Sequence, residues 1–255
     1  MHILLTNDDG IEAPGLVALA RRMRALGRVT VAAPEREQSG VGHAFTMDRP
    51  IARRRLPDDG ALVRYAVDGT PVDCIKLAVT HLADDPIDLV IAGINPGANA
   101  GVSVFYSGTV AAILEAAMWD LPALAVSFGP GYAPAETLDF DRAADLAAGL
   151  IEELIRRHLV GPTPLNINIP DLHDGPPRGW RVARQSLATY RDTFEPHADG
   201  YTLNRGDTRR ETDPDTDLYL CARGYITVTP LRLDLTDHDQ LAALRAAADA
   251  REEEA

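Results

Sequence analysis

Short apolar runs alternate with amphipathic stretches along the first two thirds of the chain. Residues 2–7 form an apolar run, which is typical of a strand with both faces covered. Residues 13–15 then open a stretch with apolar positions at helical spacing up to Leu26. A second apolar run follows at 28–34. This order of strand, helix and strand predicts a β-α-β unit, the building block of a parallel sheet.

The same alternation continues through the middle of the chain. Glycine and proline separate the segments, as they do at 69–71 before a predicted helix. The predicted strands are 63–69, 87–95, 122–128 and 164–171, and the predicted helices are 72–82, 109–121 and 139–159. We therefore predict an α/β fold with a mostly parallel sheet and flanking helices.

The pattern changes after about residue 172. The segments 178–186 and 224–231 are predicted as antiparallel strands, and the polar, charged stretch 190–217 lies between them. We interpret this stretch as an arm or hairpin that packs on another subunit, or as a flexible loop over the site. An Ala- and Glu-rich helix is predicted at 238–255, either solvated or exchanged between subunits. The chain is thus predicted to divide into a core, 1–175, and a C-terminal oligomerisation segment, 176–255, that is not an independent domain.

Composition narrows the classes of partner. The net charge of −13 argues against a general nucleic-acid binder, which would carry a basic stripe. No apolar run reaches the roughly 18 residues of a membrane span, and no basic segment precedes an apolar one at the N-terminus. We therefore expect a cytoplasmic protein without a membrane partner. An anionic substrate would need a local positive centre in so acidic a chain.

Polar residues collect where three of the predicted strands end. The segments 7–10, 34–40 and 93–99 follow these strands, and the carboxyl ends of parallel strands meet at one edge of the sheet. Asp8, Asp9, the Ser39 hydroxyl and the Asn95 amide all offer hard oxygen atoms, which suit Mg²⁺, Mn²⁺ or Ca²⁺. Each segment alone favours a turn. Their common location makes a metal site and a set of turns about equally good interpretations.

The segment Tyr106-Ser107-Gly108-Thr109 stands directly before an Ala-rich predicted helix. Free backbone N–H groups and the helix dipole make such an N-terminus suitable for an anion. Asn99 could add a donor. Ser107 or Thr109 could equally serve as an ordinary helix cap, and both roles are compatible. A cation beside an anion-binding helix start is what phosphoester hydrolysis needs.

Two other residues are weaker candidates for a functional role. His43 could donate a proton, although a lone histidine in a loop is more often incidental. Lys76, the only lysine of the chain, lies inside a predicted apolar helix, where its stem would cover apolar surface.

Five motifs together resemble the SurE family. TNDDGIEAPGL, APEREQSG, DGTPVDCIKLAV, DLVIAGINPGANAG and YSGTVAAILEA occur in this order, and they make the match specific. LNINIPD and GYITVTPLRLDLT extend the resemblance toward the C-terminus. The segment SGVGHAFTM departs from the family pattern because His43 replaces a more usual small polar residue. The charge-rich segment 190–217 departs from it as well.

The resemblance implies a Rossmann-like α/β core and one divalent metal ion per subunit, Mn²⁺ or Mg²⁺. The residues that match the metal ligands are Asp8, Asp9, Ser39 and Asn95. We place the phosphate and substrate contacts at Asn7, Gly40, Asn99, Ser107, Gly108 and Thr109. Members of the family form dimers or tetramers through C-terminal arms, so a homodimer or homotetramer is expected.

The resemblance also implies an activity. We expect a metal-dependent phosphomonoesterase that acts on nucleoside 5′- and 3′-monophosphates, with short polyphosphate as a further substrate. Asp8 or Asp9 would position or deprotonate the attacking water. Two alternatives stay open: one of these aspartates forms an aspartyl-phosphate, or the protein binds nucleotides with a metal and turns nothing over.

Overall fold

The computed structural model describes residues 1–57, 62–129, 137–173, 175–189, 192–204 and 211–253. Its strands are β1 His2–Thr6, β2 Arg28–Pro34, β3 Arg53–Arg55, β4 Leu62–Val67, β5 Leu89–Pro96, β6 Ala123–Phe128, β7 Leu165–Ile169, β8 Trp180–Val182, β9 Thr193–His197, β10 Gly200–Asn204 and β11 Ile226–Pro230. Its α-helices are α1 Pro14–Met23, α2 Pro71–Leu77, α3 Gly108–Met118, α4 Phe140–Arg156, α5 Asp217–Cys221 and α6 His238–Glu253.

Nine of these strands form one sheet in the order β3-β4-β2-β1-β5-β6-β7-β11-β8. The six neighbours from β4 to β7 all run parallel, and β3 adds an antiparallel edge. The predicted mostly parallel sheet is therefore confirmed. Its central strand β1 is buried along its whole length, as the continuous apolar run at 2–7 indicated.

Helices cover both faces of the sheet. Ile3 and Leu5 of β1 pack with residues of α1 and α4, whereas Leu4 between them packs with residues of α2 and α3. Successive side chains of a strand point to opposite faces, so one short strand anchors both layers. This three-layer arrangement fixes the loops that leave the carboxyl ends of the central strands.

Helix α2 ends earlier than the predicted helix at 72–82. It begins with a capping box, in which Thr70 and Asp73 bond each other's backbone N–H groups. The α-helix stops at Leu77, and the chain continues as one turn of wider π-helix over Ala78–Leu82. Residues 180–182 of the predicted strand 178–186 form β8, and the boundaries of the other predicted strands and helices agree with the structure within three residues.

The two late strands are antiparallel to the core strands, as predicted, but they are parallel to each other. β8 and β11 run parallel, with Ile226 opposite Trp180, and β11 pairs antiparallel with β7. A long connection through the hairpin and α5 separates β8 from β11, and parallel neighbours require such a connection. The segment beyond residue 175 therefore contributes two strands to the main sheet.

The polar segment that follows contains a hairpin, which was one of its predicted forms. β9 and β10 pair antiparallel and all their residues are exposed, including Phe194 and Tyr201. Residues 190, 191 and 205–210 of the predicted arm lie outside the described residues. The predicted terminal helix is confirmed over His238–Glu253. Use of these elements in oligomerisation stays a prediction. In the part of the chain that the structure describes, no helix is long and apolar enough to cross a membrane.

Candidate active site

The three polar segments lie at one edge of the sheet. β1 has β2 on one side and β5 on the other, and all three run parallel. The loop after β2 is tied to β1 because the Gln38 backbone N–H donates to the Asp8 carbonyl at 2.7 Å. β5 continues past Ala92, the partner of Thr6, to Asn95 and Pro96. The common location of these segments, expected from connectivity, is confirmed.

The turn after β1 is built by Asn7 and Gly10. Gly10 has a φ of +110°, a conformation that side chains disfavour, and this lets the chain turn after the two aspartates. Asn7 is fully buried, and its amide both donates to the Gly10 carbonyl at 2.9 Å and accepts from the Gly10 N–H at 3.2 Å. Asn7 thus shapes the turn, and a direct substrate contact by this residue stays a prediction.

Asp8 lies against the first turn of α3. It is buried and accepts a hydrogen bond from Thr109 Oγ1 through its Oδ1 atom. Burial raises the pKa of Asp8, and hydrogen bonds from the Thr109 hydroxyl and from backbone N–H groups, including those of Thr109 and Gly108, oppose this rise. The N-terminus of α3 and the end of β1 therefore face the same small space.

Asp9 carries a carboxylate oxygen without a partner. Its Oδ2 atom is buried and forms no hydrogen bond within the described part of the chain. Burial, together with the negative charges of Asp8 and Glu37, raises the pKa of Asp9 to about 8. A buried carboxylate is costly unless positive charge or donors compensate it. This orphaned oxygen, next to a second carboxylate, fits a divalent cation.

Ser39 and Asn95 offer the other two oxygen atoms of the predicted ligand set. Ser39 Oγ donates to Glu37 Oε1 at 2.5 Å, so its lone pairs stay available. Asn95 uses its amide nitrogen on its own loop, donating to the Gly97 carbonyl at 2.8 Å. No three His, Cys, Asp or Glu side chains of the described residues gather as a metal site. A cation here would thus depend on the hydroxyl and the amide besides the two aspartates.

The remaining predicted contacts differ in how firmly they are held. Gly40 lies in the exposed loop with a φ of +70°. Asn99 is buried, and its amide nitrogen donates to Ser127 Oγ at 2.9 Å. Its backbone N–H donates to Asn168 Oδ1 at 2.8 Å, and its carbonyl accepts from Asn166 Nδ2 at 2.7 Å. Side chains of β6 and β7 therefore fix the loop that carries Asn99.

Ser107 caps helix α3. Its Oγ accepts a hydrogen bond from the Val110 backbone N–H at 3.1 Å, which confirms the helix-cap interpretation. Gly108 follows where space is tight, because a Cβ atom there would lie 2.8 Å from the Cβ of Asp8. Only a residue without a side chain lets the helix start approach Asp8 so closely.

Sequence reasoning missed one buried group of charges. Glu115 of α3, 3% exposed in its side chain, pairs with Lys76 at 2.7 Å and with His43 at 3.1 Å. The sequence favours an incidental role for His43 over a proton donor, and a stem that covers apolar surface for Lys76. A glutamate inside an otherwise apolar, Ala-rich helix was the signal, because a buried carboxylate needs a partner.

The sequence and the fold of this chain both match known proteins of the same family. The family model described as survival protein SurE matches residues 3–192. A protein of Moorella thermoacetica named 5′-nucleotidase SurE is 42% identical over 245 residues, covering 93% of this chain and 92% of its own. A protein of the same name from Syntrophus aciditrophicus is 39% identical over 252 residues, with coverages of 96% and 93%. The crystal structure of the SurE protein from Aquifex aeolicus superposes with a TM-score of 0.81 at 33% identity, covering 97% of this chain and 100% of that one.

Proposed function

The chain belongs to the SurE family, and on this premise we propose that it is a phosphomonoesterase that releases phosphate from nucleoside monophosphates. The 5′-nucleotidase name of its relatives supports the reaction class and the 5′-monophosphate substrate. The observation that carries the proposal within this chain is the contact between Asp8 and the start of α3. It brings a carboxylate pair beside a helix N-terminus, whose dipole favours an anion.

We assign Asp8, Asp9, Ser39 and Asn95 as the residues that hold one divalent cation, Mn²⁺ or Mg²⁺. The orphaned Asp9 oxygen and the purely oxygen donor set support this assignment. When bound, the cation supplies positive charge that stabilises the phosphoryl group as charge develops on its oxygens. We also propose that nucleoside 3′-monophosphates and short polyphosphate are substrates.

Residues of the chain itself would then bind the phosphate and activate the attacking water. The phosphate oxygens lie at the start of α3, beside Ser107, Gly108 and Thr109, where the helix dipole favours their negative charge. Asn99, held by β6 and β7, and Gly40 border the same edge of the sheet. Asp8 or Asp9 orients a water molecule in line with the leaving oxygen and accepts its proton.

Two other mechanisms use the same residues. One aspartate could attack phosphorus itself and form an aspartyl-phosphate, in which case ¹⁸O from labelled water would enter its carboxylate. A binding module without turnover would bind AMP tightly and release no phosphate. We also propose a homodimer or homotetramer in the cytoplasm, with the exposed hairpin β9–β10 as a contact between subunits.

The test measures phosphate release from AMP with Mn²⁺, with and without a chelator. We expect turnover that the chelator abolishes and that Asp9→Asn reduces by at least about a hundredfold, which is the scale of losing one group that acts on the reacting centre. Asp84→Asn is the matched control, because Asp84 forms only an exposed ion pair with Arg28 among the residues that the structure describes. Tight AMP binding without phosphate release would contradict the proposal.

A further inference from the structure

Glu115 is the centre of a compact group of polar side chains on α3. Lys76 Nζ and Trp119 Nε1 donate to its Oε1 atom at 2.7 Å and 2.9 Å, and His43 Nε2 lies 3.1 Å from its Oε2 atom. Burial raises the pKa of Glu115, but the hydrogen bonds from Lys76, His43 and Trp119 outweigh it and hold this pKa below its usual value. Glu115 is therefore a buried anion with both oxygens occupied.

His43 belongs to the long loop between β2 and β3, residues 35–52, which we call the Ser39 loop. The described chain has no helix or strand within this loop, so single contacts hold it. Gln38 N–H binds the Asp8 carbonyl, and Gly42 N–H binds the Tyr106 carbonyl at 3.1 Å. The His43 side chain then reaches Glu115.

The far part of the Ser39 loop is held by a neighbouring helix. Thr46 donates from its N–H and its hydroxyl to Asp73 of α2, at 2.9 Å and 2.7 Å. The ring of Phe45 lies 5.3 Å from Lys76 Nζ, which is a cation–π distance. Lys76 thus joins α2, α3 and the Ser39 loop at one point.

Helix α3 connects this group with the candidate active site. Glu115 follows Gly108 by seven residues, which is about two turns and about 10 Å along the helix axis, on nearly the same face. The first turn of α3 binds Asp8, and the third binds the Ser39 loop. Ser39 therefore lies between the attachment at Gln38 on one side and those at Gly42 and His43 on the other. The separation along α3 also makes His43 a poor proton donor to a phosphate at the helix start.

We propose that His43, bound to Glu115 and supported by Lys76, is a positioning residue that fixes the Ser39 hydroxyl relative to the aspartate pair. The inference rests on the proposed function, because Ser39 is assigned there as a cation ligand. His43 itself touches neither the cation nor the substrate. The neutral or charged imidazole can serve, since the hydrogen bond to Glu115 requires only one N–H.

The experiment compares the full-length protein with His43→Ala, which removes the hydrogen bond, and His43→Gln, which keeps an N–H donor of similar reach. His81→Ala is the matched control, because His81 is exposed and contacts only its neighbour Thr80 in the described structure. Two measurements need no turnover. They are amide hydrogen exchange at residues 36–47 and Mn²⁺ affinity by calorimetry. The third measurement is kcat and KM for AMP.

We expect faster exchange in the Ser39 loop of His43→Ala and a roughly tenfold weaker Mn²⁺ affinity, as is usual when a residue that holds a metal ligand is removed. The kcat should fall with KM for AMP nearly unchanged, and His43→Gln should recover most of both losses. A purely structural role would lower the melting temperature of both variants without separating kcat from KM.

Three outcomes would overturn the inference: unchanged exchange in His43→Ala, unchanged Mn²⁺ affinity, or equal losses in His43→Gln. A wild-type protein without Mn²⁺ affinity would also overturn it. A wild-type protein that binds Mn²⁺ but releases no phosphate contradicts the proposed function alone, because the exchange and affinity comparisons still decide the role of His43.

Discussion

Thr109 donates a hydrogen bond from Oγ1 to Asp8 Oδ1, and this bond joins the first turn of α3 to the end of β1. Thr109 is fully buried and Asp8 is 5% exposed, so water cannot replace the bond. Its two partners are separated by 101 positions in the chain. The bond therefore fixes the start of α3 against the carboxylate pair.

Thr109→Val should destabilise the metal-free protein by about 1–3 kcal/mol, because it leaves a buried carboxylate oxygen without its donor. Thr109→Ser keeps the hydroxyl and should lose only about 1 kcal/mol for the missing methyl group. Urea unfolding with a chelator present measures both. Equal losses in the two variants would show that the bond to Asp8 does not stabilise the fold.

Asp9→Asn should stabilise the metal-free protein by about 1–3 kcal/mol at neutral pH, because it removes a buried carboxyl that must either hold a proton or carry a charge without a partner. The pKa of Asp9, about 8 in the folded chain, lies above the ordinary value of 3.8. The unfolded chain therefore loses this proton first, and wild-type stability falls as pH rises from about 4 to about 8. Thermal unfolding at several pH values should show the advantage of Asp9→Asn growing across this window.

Adding Mn²⁺ to the same two proteins provides the control. Wild-type protein should gain stability with Mn²⁺ concentration, since a ligand of the folded state stabilises it, and Asp9→Asn should gain little. An equal shift in both proteins would place the cation elsewhere.

Glu115→Gln should lower stability by about 1–3 kcal/mol at pH 7, because Lys76 and His43 lose a charged acceptor. The pKa of Glu115 lies below its ordinary value of 4.5 in the folded chain. The contribution of this carboxylate is therefore complete above about pH 4.5 and declines as pH falls through the lower folded value. Urea unfolding at pH 7 and pH 4 should show the difference between the two proteins shrinking at pH 4. A difference that grows on acidification would contradict this sign.

Replacing Phe194 and Tyr201 together by serine should shift the protein toward the monomer in analytical ultracentrifugation. Both side chains are largely exposed on the hairpin, and burial of such aromatic surface is a typical source of contact energy between subunits. The main sheet contains neither residue, so circular dichroism should be unchanged. Leu159→Ser is the control, because Leu159 is exposed and lies just after α4. This change should leave the mass of the assembly in ultracentrifugation unaltered.

The fold was predictable where local pattern decides the structure. Apolar runs and helical spacing predicted the central strands, and the predicted helices other than α2, within three residues, and chain order predicted which strand ends meet. The orientation of β8 against β11 was not predictable, because it depends on the path of the hairpin and α5 between them. No periodicity within either strand encodes that path.

The candidate site was predictable to a similar extent. The positions of Asp8, Asp9 and the helix start follow from strands and helices that the sequence reveals. The contacts of Asn7 and Asn99 with the protein itself do not, because a polar residue in a loop can bind a substrate or the backbone equally well. The pairing of His43 with Glu115 crosses 72 positions, and only the packing of the Ser39 loop on α3 reveals it.

The close approach of Gly108 to Asp8 makes one part of the candidate site more rigid than the rest. Backbone packing, with no room for even one methyl group, sets the spacing between the aspartates and the helix amides. Rotamer changes of nearby side chains therefore leave this spacing unaltered. The Ser39 loop, residues 35–52, is in contrast held by single backbone and side-chain contacts. Substitutions in that loop can displace the Ser39 hydroxyl while the spacing between Asp8 and the start of α3 stays fixed.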